Sequence, residues 1–166
     1  MPDPTVYLET TIPSYLAPRP SRDLVTAAHQ GLTWQWWEQE RGKYRLFVSP
    51  RVWEEAQEGD PDAARRRMDM LAEVAMLEPS SAVDALASEI LKRLRIPDKA
   101  LADAFHLAYA VDYEIDYLLT WNCAHLANGP NLKALATYTH EEGLWLPIVC
   151  TPEALTPRRE GDIDVP

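Results

Sequence analysis

Apolar residues along the chain alternate between short unbroken runs and stripes at helical spacing. PTVYL (4–8), YRLFV (44–48), AMLE (75–78), YLLT (117–120) and LPIVC (146–150) are short runs bounded by polar or turn residues, the pattern of buried strands. Between them the period lengthens to three or four. Ser21 opens a helix from about 22 to 41 with Asp23 in its first turn; Leu24, Val25, Ala28 and Leu32 share one face, Trp34 and Trp37 fall roughly opposite, and Gly31 offers a bend. Ser49-Pro50 starts a helix over about 50–58, because serine caps and proline suits the first helical position. Asp60-Pro61 opens another through about Glu73. Ser80 or Ser81 caps one to about Arg95, with Val83, Leu86, Ala87, Ile90, Leu91 and Leu94 as its core stripe. Pro97-Asp98 starts the helix LADAFHLAYAV (101–111), with Asp98 as its N-cap, and the Asn128-Gly129-Pro130 turn precedes a last helix over about 131–141. Strands alternating with helices predict an α/β fold: a mostly parallel central sheet of about five strands, helices on both faces, one domain over 1–155 and a loose tail over 156–166.

The segment Leu101–Val111 changes the picture most. It is apolar nearly all round, with Asp103 and His106 as its strongly polar residues, so it belongs in the middle of a layered domain. An unpaired carboxylate there would be penalised heavily; it must neutralise, pair or bind a cation. In parallel sheets functional groups gather beyond the carboxyl ends of the strands. Glu9 ends the first strand, Glu55 lies about a helical turn past the second, and Asn122 sits just past 117–120. On the helix at 50–58, Val52, Trp53 and Ala56 mark the inward face, which puts Glu55 nearer the core and Glu54 in solvent. Three carboxylates about 6 Å apart cost roughly 3 kcal/mol per pair at an effective dielectric near 20. That load calls for a proton or a divalent cation, and an all-oxygen donor set selects Mg²⁺ or Mn²⁺ over zinc. Structural readings stand beside these. Glu9 can be an exposed strand-end charge, Glu55 a surface partner of Arg51, Asp103 half of a buried salt bridge, and His106 a hydrogen-bonded core histidine. Arg65, Arg66 and Arg67 read as a solvated face or an RNA-contacting patch, and the two tryptophans as core or as a partner surface.

Charge and cysteine usage narrow the classes. A formal net charge of −10 excludes a protein that grips nucleic acid by bulk phosphate neutralisation, so RNA contact would need a local basic rim or a bound metal. Two cysteines, Cys123 and Cys150, are too few for a disulfide framework and have no zinc-ligand spacing. No run reaches the length of a membrane span, and MPDPTVYLE lacks the basic and apolar regions of an export signal, so the expected location is the cytoplasm.

Four motifs, VYLETTIPSYL, SPRVWEEA, DKALADAFHLAYA and YLLTWNCAHLAN, resemble in order those of the PIN-domain family, particularly the VapC-type toxins of toxin–antitoxin pairs, over about residues 5–150. The resemblance implies a three-layer α/β/α fold, Mg²⁺- or Mn²⁺-dependent ribonuclease activity on RNA, a homodimer and an inhibitory antitoxin. It places Glu9, Glu55 and Asp103 at the family's first three acidic positions as metal holders. Asn122 falls at the fourth, and Thr120 is the hydroxyl of that strand end. The first motif departs from the family's Asp-Thr-Asn: Glu9-Thr10-Thr11 carries one more methylene, which moves the carboxylate by more than about 1 Å where catalytic geometry tolerates about 0.5 Å. Two other functions therefore stand beside the ribonuclease: a PIN-like module of weak or no activity that acts by binding protein, and a phosphatase or other nucleotide hydrolase on a similar site.

Overall fold

The structure, a computed structural model, describes residues 1–157. Its strands are β1 (Thr5–Leu8), β2 (Arg45–Val48), β3 (Ala75–Met76), β4 (Tyr117–Leu119) and β5 (Ile148–Cys150). Its helices are α1 (Thr11–Leu16), α2 (Leu24–Gln39), α3 (Pro50–Ala56), α4 (Pro61–Leu71), α5 (Ser81–Arg93), α6 (Leu101–Asp112) and α7 (Gly129–Glu142). The strands form one sheet in the order β3-β2-β1-β4-β5, and each pairing is parallel. Such a sheet must be covered on both faces, and the central β1 accordingly buries Val6, Tyr7 and Leu8 completely.

The chain lays β2 and β3 on one side of β1, then returns to lay β4 and β5 on the other. The order reverses between β1 and β4, which opens a crevice at their carboxyl ends. The register Leu8↔Leu119 brings Glu9 and Thr120 side by side just beyond the last pair. Helix α6 buries Ala104, His106, Leu107, Ala108, Tyr109, Ala110 and Val111, so its first turn, with Asp103, is delivered to the same edge. Among the described residues no helix is long and apolar enough to cross a membrane.

The predicted caps of α3, α4 and α5 are in place: Ser49, Asp60 and Ser80 accept from the amides of Val52, Ala63 and Val83. Other expectations need correction. Helix α2 is capped by Asp23, which accepts from Thr26 N at 2.8 Å, while the Ser21 hydroxyl accepts from Asp23 N. It runs unbroken through Gly31 and buries Gln30, Thr33, Trp36 and Trp37. Leu24 and Val25 are instead 85% and 64% exposed, so the expected core face looks outward. The two tryptophans separate: Trp37 is buried beneath the Arg41 guanidinium, and Trp34 is exposed. Asp98 is not the cap of α6; it opens a short 3₁₀ turn, and Ala100 precedes the helix without a side-chain cap. No helical period marks Thr11–Leu16, because six residues make too short a stripe. The arginine run lies on a largely solvated face, with Arg65 and Arg66 exposed, and its side chains also make hydrogen bonds. Arg65 pairs with Asp62, while Arg66 donates to Ala17 O at 2.8 Å and Arg67 to Ala56 O at 2.9 Å, tying α4 to the ends of α1 and α3. The expected tail lies outside the described residues from 158 onward, and Thr156 bonds back to Pro152 O.

Candidate active site at the carboxyl ends of β1 and β4

Each predicted acidic residue is held by a separate set of fixed donors. Glu9 is buried, and its Oε2 accepts from Thr11 N (3.1 Å), Thr11 Oγ1 (2.5 Å) and Thr120 Oγ1 (2.7 Å). Three donors on one oxygen replace the hydration that burial removes. The longer glutamate arm folds back to residue 11 and across to β4, an arrangement set by the Thr-Thr that follows it. Thr120 also accepts from Asn122 N at 2.9 Å, so one buried hydroxyl joins the first carboxylate to the loop after β4.

Glu55 faces inward and Glu54 outward, with side chains 29% and 65% exposed. Arg51 pairs with Glu54 at 3.5 Å, not with Glu55. Glu55 Oε1 accepts from Thr10 Oγ1 at 3.1 Å and lies 2.9 Å from His106 Nε2. That approach is off the axis of the ring N–H, so it is a close charge contact and not an aligned hydrogen bond. Burial alone would raise the Glu55 pKa; His106, Thr10 and Arg51 together outweigh it and hold the carboxyl below its ordinary range. Asp103 Oδ1 accepts from Asn122 Nδ2 at 3.1 Å, and its Oδ2 lies 2.6 Å from His125 Nδ1.

His106 is the hub. It is completely buried, and its Nδ1 is 2.7 Å from the Tyr7 hydroxyl, itself 2.7 Å from Ser49 Oγ. Burial opposes its charged form, yet the Glu55 contact and the fields of Glu9, Glu55 and Asp103 outweigh burial and raise its pKa. Burial pushes the Tyr7 phenol well above its ordinary value, so it stays protonated. With an imidazolium the directions close: His106 donates to Tyr7, Tyr7 to Ser49, and Ser49 also caps α3.

The four predicted site residues are joined at one edge by hydrogen bonds: Thr120 links Glu9 to Asn122, Asn122 donates to Asp103, and Thr10, next to Glu9, donates to Glu55. Their oxygen donors suit a hard dication in kind. Among the described residues, however, no group of three His, Cys, Asp or Glu side chains is disposed to hold an ion. Histidines and hydroxyls stand against the carboxylates instead. His125 was not foreseen, although a signal exists: it follows Asn122 by three residues, and its amide donates to Asn122 Oδ1, a turn that asparagine favours. Tyr7 and Ser49 carried only strand and cap signals.

No family model matches the chain, and no curated protein matches its sequence. Among solved structures, a chain of VapBC2 from Rickettsia felis, crystallised bound to a DNA fragment from its promoter, is similar at a TM-score of 0.57 and 14% identity. The match covers 89% of this chain and 98% of that one. At such identity the likeness is one of fold, and the chain has the PIN-like architecture: an all-parallel five-stranded sheet between layers of helices.

Proposed function

We propose that this chain is a VapC-type toxin, a metal-dependent endoribonuclease that hydrolyses RNA phosphodiester bonds. One set of contacts carries the reading: Thr120 joins Glu9 to Asn122, Asn122 donates to Asp103, and Glu55 lies against Thr10 and the buried His106, beside the sheet's switch point. Glu9, Glu55 and Asp103 would hold Mg²⁺ or Mn²⁺ only if the contacts of Glu55 with His106 and of Asp103 with His125 gave way to the ion, which would then supply an activated water and neutralise charge on the phosphoryl group. The chain's own residues do the positioning. Thr11 and Thr120 fix Glu9, Thr10 and His106 fix Glu55, and Asn122 and His125 orient Asp103. Arg51, whose charge acts on Glu55, is a cation that a substrate phosphate could engage. By analogy with VapBC2, an antitoxin partners the chain. Leu24 and Val25, exposed together at the start of α2, are the apolar residues it would contact. A homodimer and a cytoplasmic location belong to the same proposal.

A second reading has one observation in its favour: the carboxylates are engaged by His106 and His125, as in a PIN-like module that binds protein without catalysis. Calorimetry with Mn²⁺ and cleavage of single-stranded RNA separate the two. The ribonuclease binds the ion at micromolar levels, cleaves RNA, stops in EDTA and loses cleavage in Asp103→Asn. An Asp103→Asn protein that cuts as fast as the parent would falsify the assignment, and small phosphoesters assayed beside RNA distinguish a phosphatase.

A further inference from the structure

We infer that Tyr15, His29 and Trp121 form a stacking platform for a nucleobase next to the scissile phosphodiester; this rests on the ribonuclease reading. The His29 and Trp121 rings are stacked, with centroids 4.1 Å apart and planes 16° from parallel. Tyr15 meets both edge-on, at 5.7 Å and 86° to His29 and at 6.2 Å and 71° to Trp121. The rings come from α1, α2 and the loop after β4, and all three keep surface exposed to solvent.

Trp121 packs partly against the core, and two further features suit the half-buried cluster to a ligand. Its orientation is fixed by polar handles on the inner side. The indole Nε1 donates to Thr33 Oγ1 at 2.8 Å, and the same hydroxyl donates to His29 O at 2.6 Å, so one threonine holds the indole and the backbone of the residue stacked on it. The platform is also tied to the candidate catalytic edge. Trp121 N donates to Thr11 Oγ1 at 2.8 Å, and that hydroxyl donates to Glu9. Trp121 lies between Thr120, which holds Glu9, and Asn122, which holds Asp103. A base resting on these rings would sit beside the carboxylates.

The ligand class follows from charge. A chain of net charge −10 gains little from phosphate neutralisation, whereas stacking requires no charge and accepts any base. Only unpaired bases offer a free face, so the ligand is a single strand, which on the ribonuclease reading is RNA.

The test is a cycle on the full chain with Mn²⁺, using a short single-stranded RNA and the same RNA with an abasic residue beside the cleaved bond. Trp121→Leu should raise KM on intact RNA about tenfold, with the loss falling on KM and not on kcat, while Trp121→Phe keeps most of the affinity. The abasic residue should cost the parent a similar factor and cost Trp121→Leu almost nothing more. If Trp121→Leu does not fold, as judged by circular dichroism, His29→Leu completes the same cycle. Additive losses, or an unchanged KM in both leucine variants, overturn the platform and leave the ribonuclease standing. A parent that cuts neither RNA with Mg²⁺ or Mn²⁺ overturns the ribonuclease reading, and the platform with it.

Discussion

His106 Nε2 and Glu55 Oε1 lie 2.9 Å apart, the first completely buried on α6 and the second at the edge of the crevice on α3. The contact joins opposed tendencies. Burial disfavours charge on both groups, and each charged form is retained because the other is there. Glu9 and Asp103 add to the field on His106, so all three carboxylates favour its charged form against the burial that opposes it.

Replacing His106 with alanine in EDTA should therefore destabilise the fold by about 2–4 kcal/mol near neutral pH, since it leaves Glu55 half-buried beside two further carboxylates and opens a small cavity. The sign of the pH dependence follows from the two shifts. The histidine's raised pKa gives stability that is full below its unfolded value near 6.5 and is lost as pH rises through the higher folded value. The glutamate's lowered pKa gives stability present above its unfolded value near 4.5 and lost as pH falls through the lower folded value. Urea unfolding of parent and variant should show the largest gap at about pH 5–7, narrowing toward pH 9. A gap that widens with rising pH would contradict the pairing.

Thr120→Val keeps the shape of a fully buried side chain and removes its hydroxyl. That hydroxyl donates to Glu9 and accepts from Asn122 N, so a carboxylate and an amide lose a partner together. A cost of about 1–3 kcal/mol is expected by urea unfolding, with Thr120→Ser recovering most of it. RNA cleavage should fall further in the valine variant than its stability alone explains, because Glu9 is no longer fixed.

Glu54→Gln and Glu55→Gln form a matched pair on adjacent positions of one helix. Glu54 is mostly in solvent against Arg51, where an exposed pair contributes at most about 1 kcal/mol. Glu55 faces Thr10 and His106. Cleavage should persist in the first variant and fall about 100-fold or more in the second. Equal rates would remove Glu55 from the site.

How far the sequence reached depends on the distance over which each signal acts. The strands, the caps at Ser49, Asp60 and Ser80, and the inward turn of Glu55 are local, set by a few neighbouring residues, and could be read directly. Helix α2 was misread because its apolar residues do not mark its buried face. Leu24 and Val25 point outward while Gln30 and Thr33 are buried, Gln30 accepting from Ser21 N ahead of the helix and Thr33 from the distant Trp121 indole, bonds that no periodicity reports. Asp103 announced itself as an acid on an apolar helix, but its partner His125 sits 22 positions away and needed the fold to be seen. The His106–Tyr7–Ser49 chain is of the same kind, assembled from β1, the cap of α3 and α6.

The two thiols should differ sharply in reactivity. Cys123 is exposed in the loop after β4, whereas burial pushes the Cys150 thiol at the end of β5 up to about 11. Thiolate is the reacting species, and at about pH 8 Cys150 carries on the order of a thousandth of its population in that form. Iodoacetamide under native conditions should alkylate Cys123 and leave Cys150 until the chain is unfolded in urea, as read by mass spectrometry of proteolytic fragments. Because Cys123 follows Asn122 directly, its alkylation also tests the edge itself. A bulky adduct there should slow RNA cleavage, and a Cys123→Ser protein should cleave normally and resist the reagent. Native labelling of both thiols at equal rates would mean that β5 opens on the timescale of the reaction, and that the strand pairing at Thr120 N–Cys150 O, 3.0 Å in length, does not persist in solution.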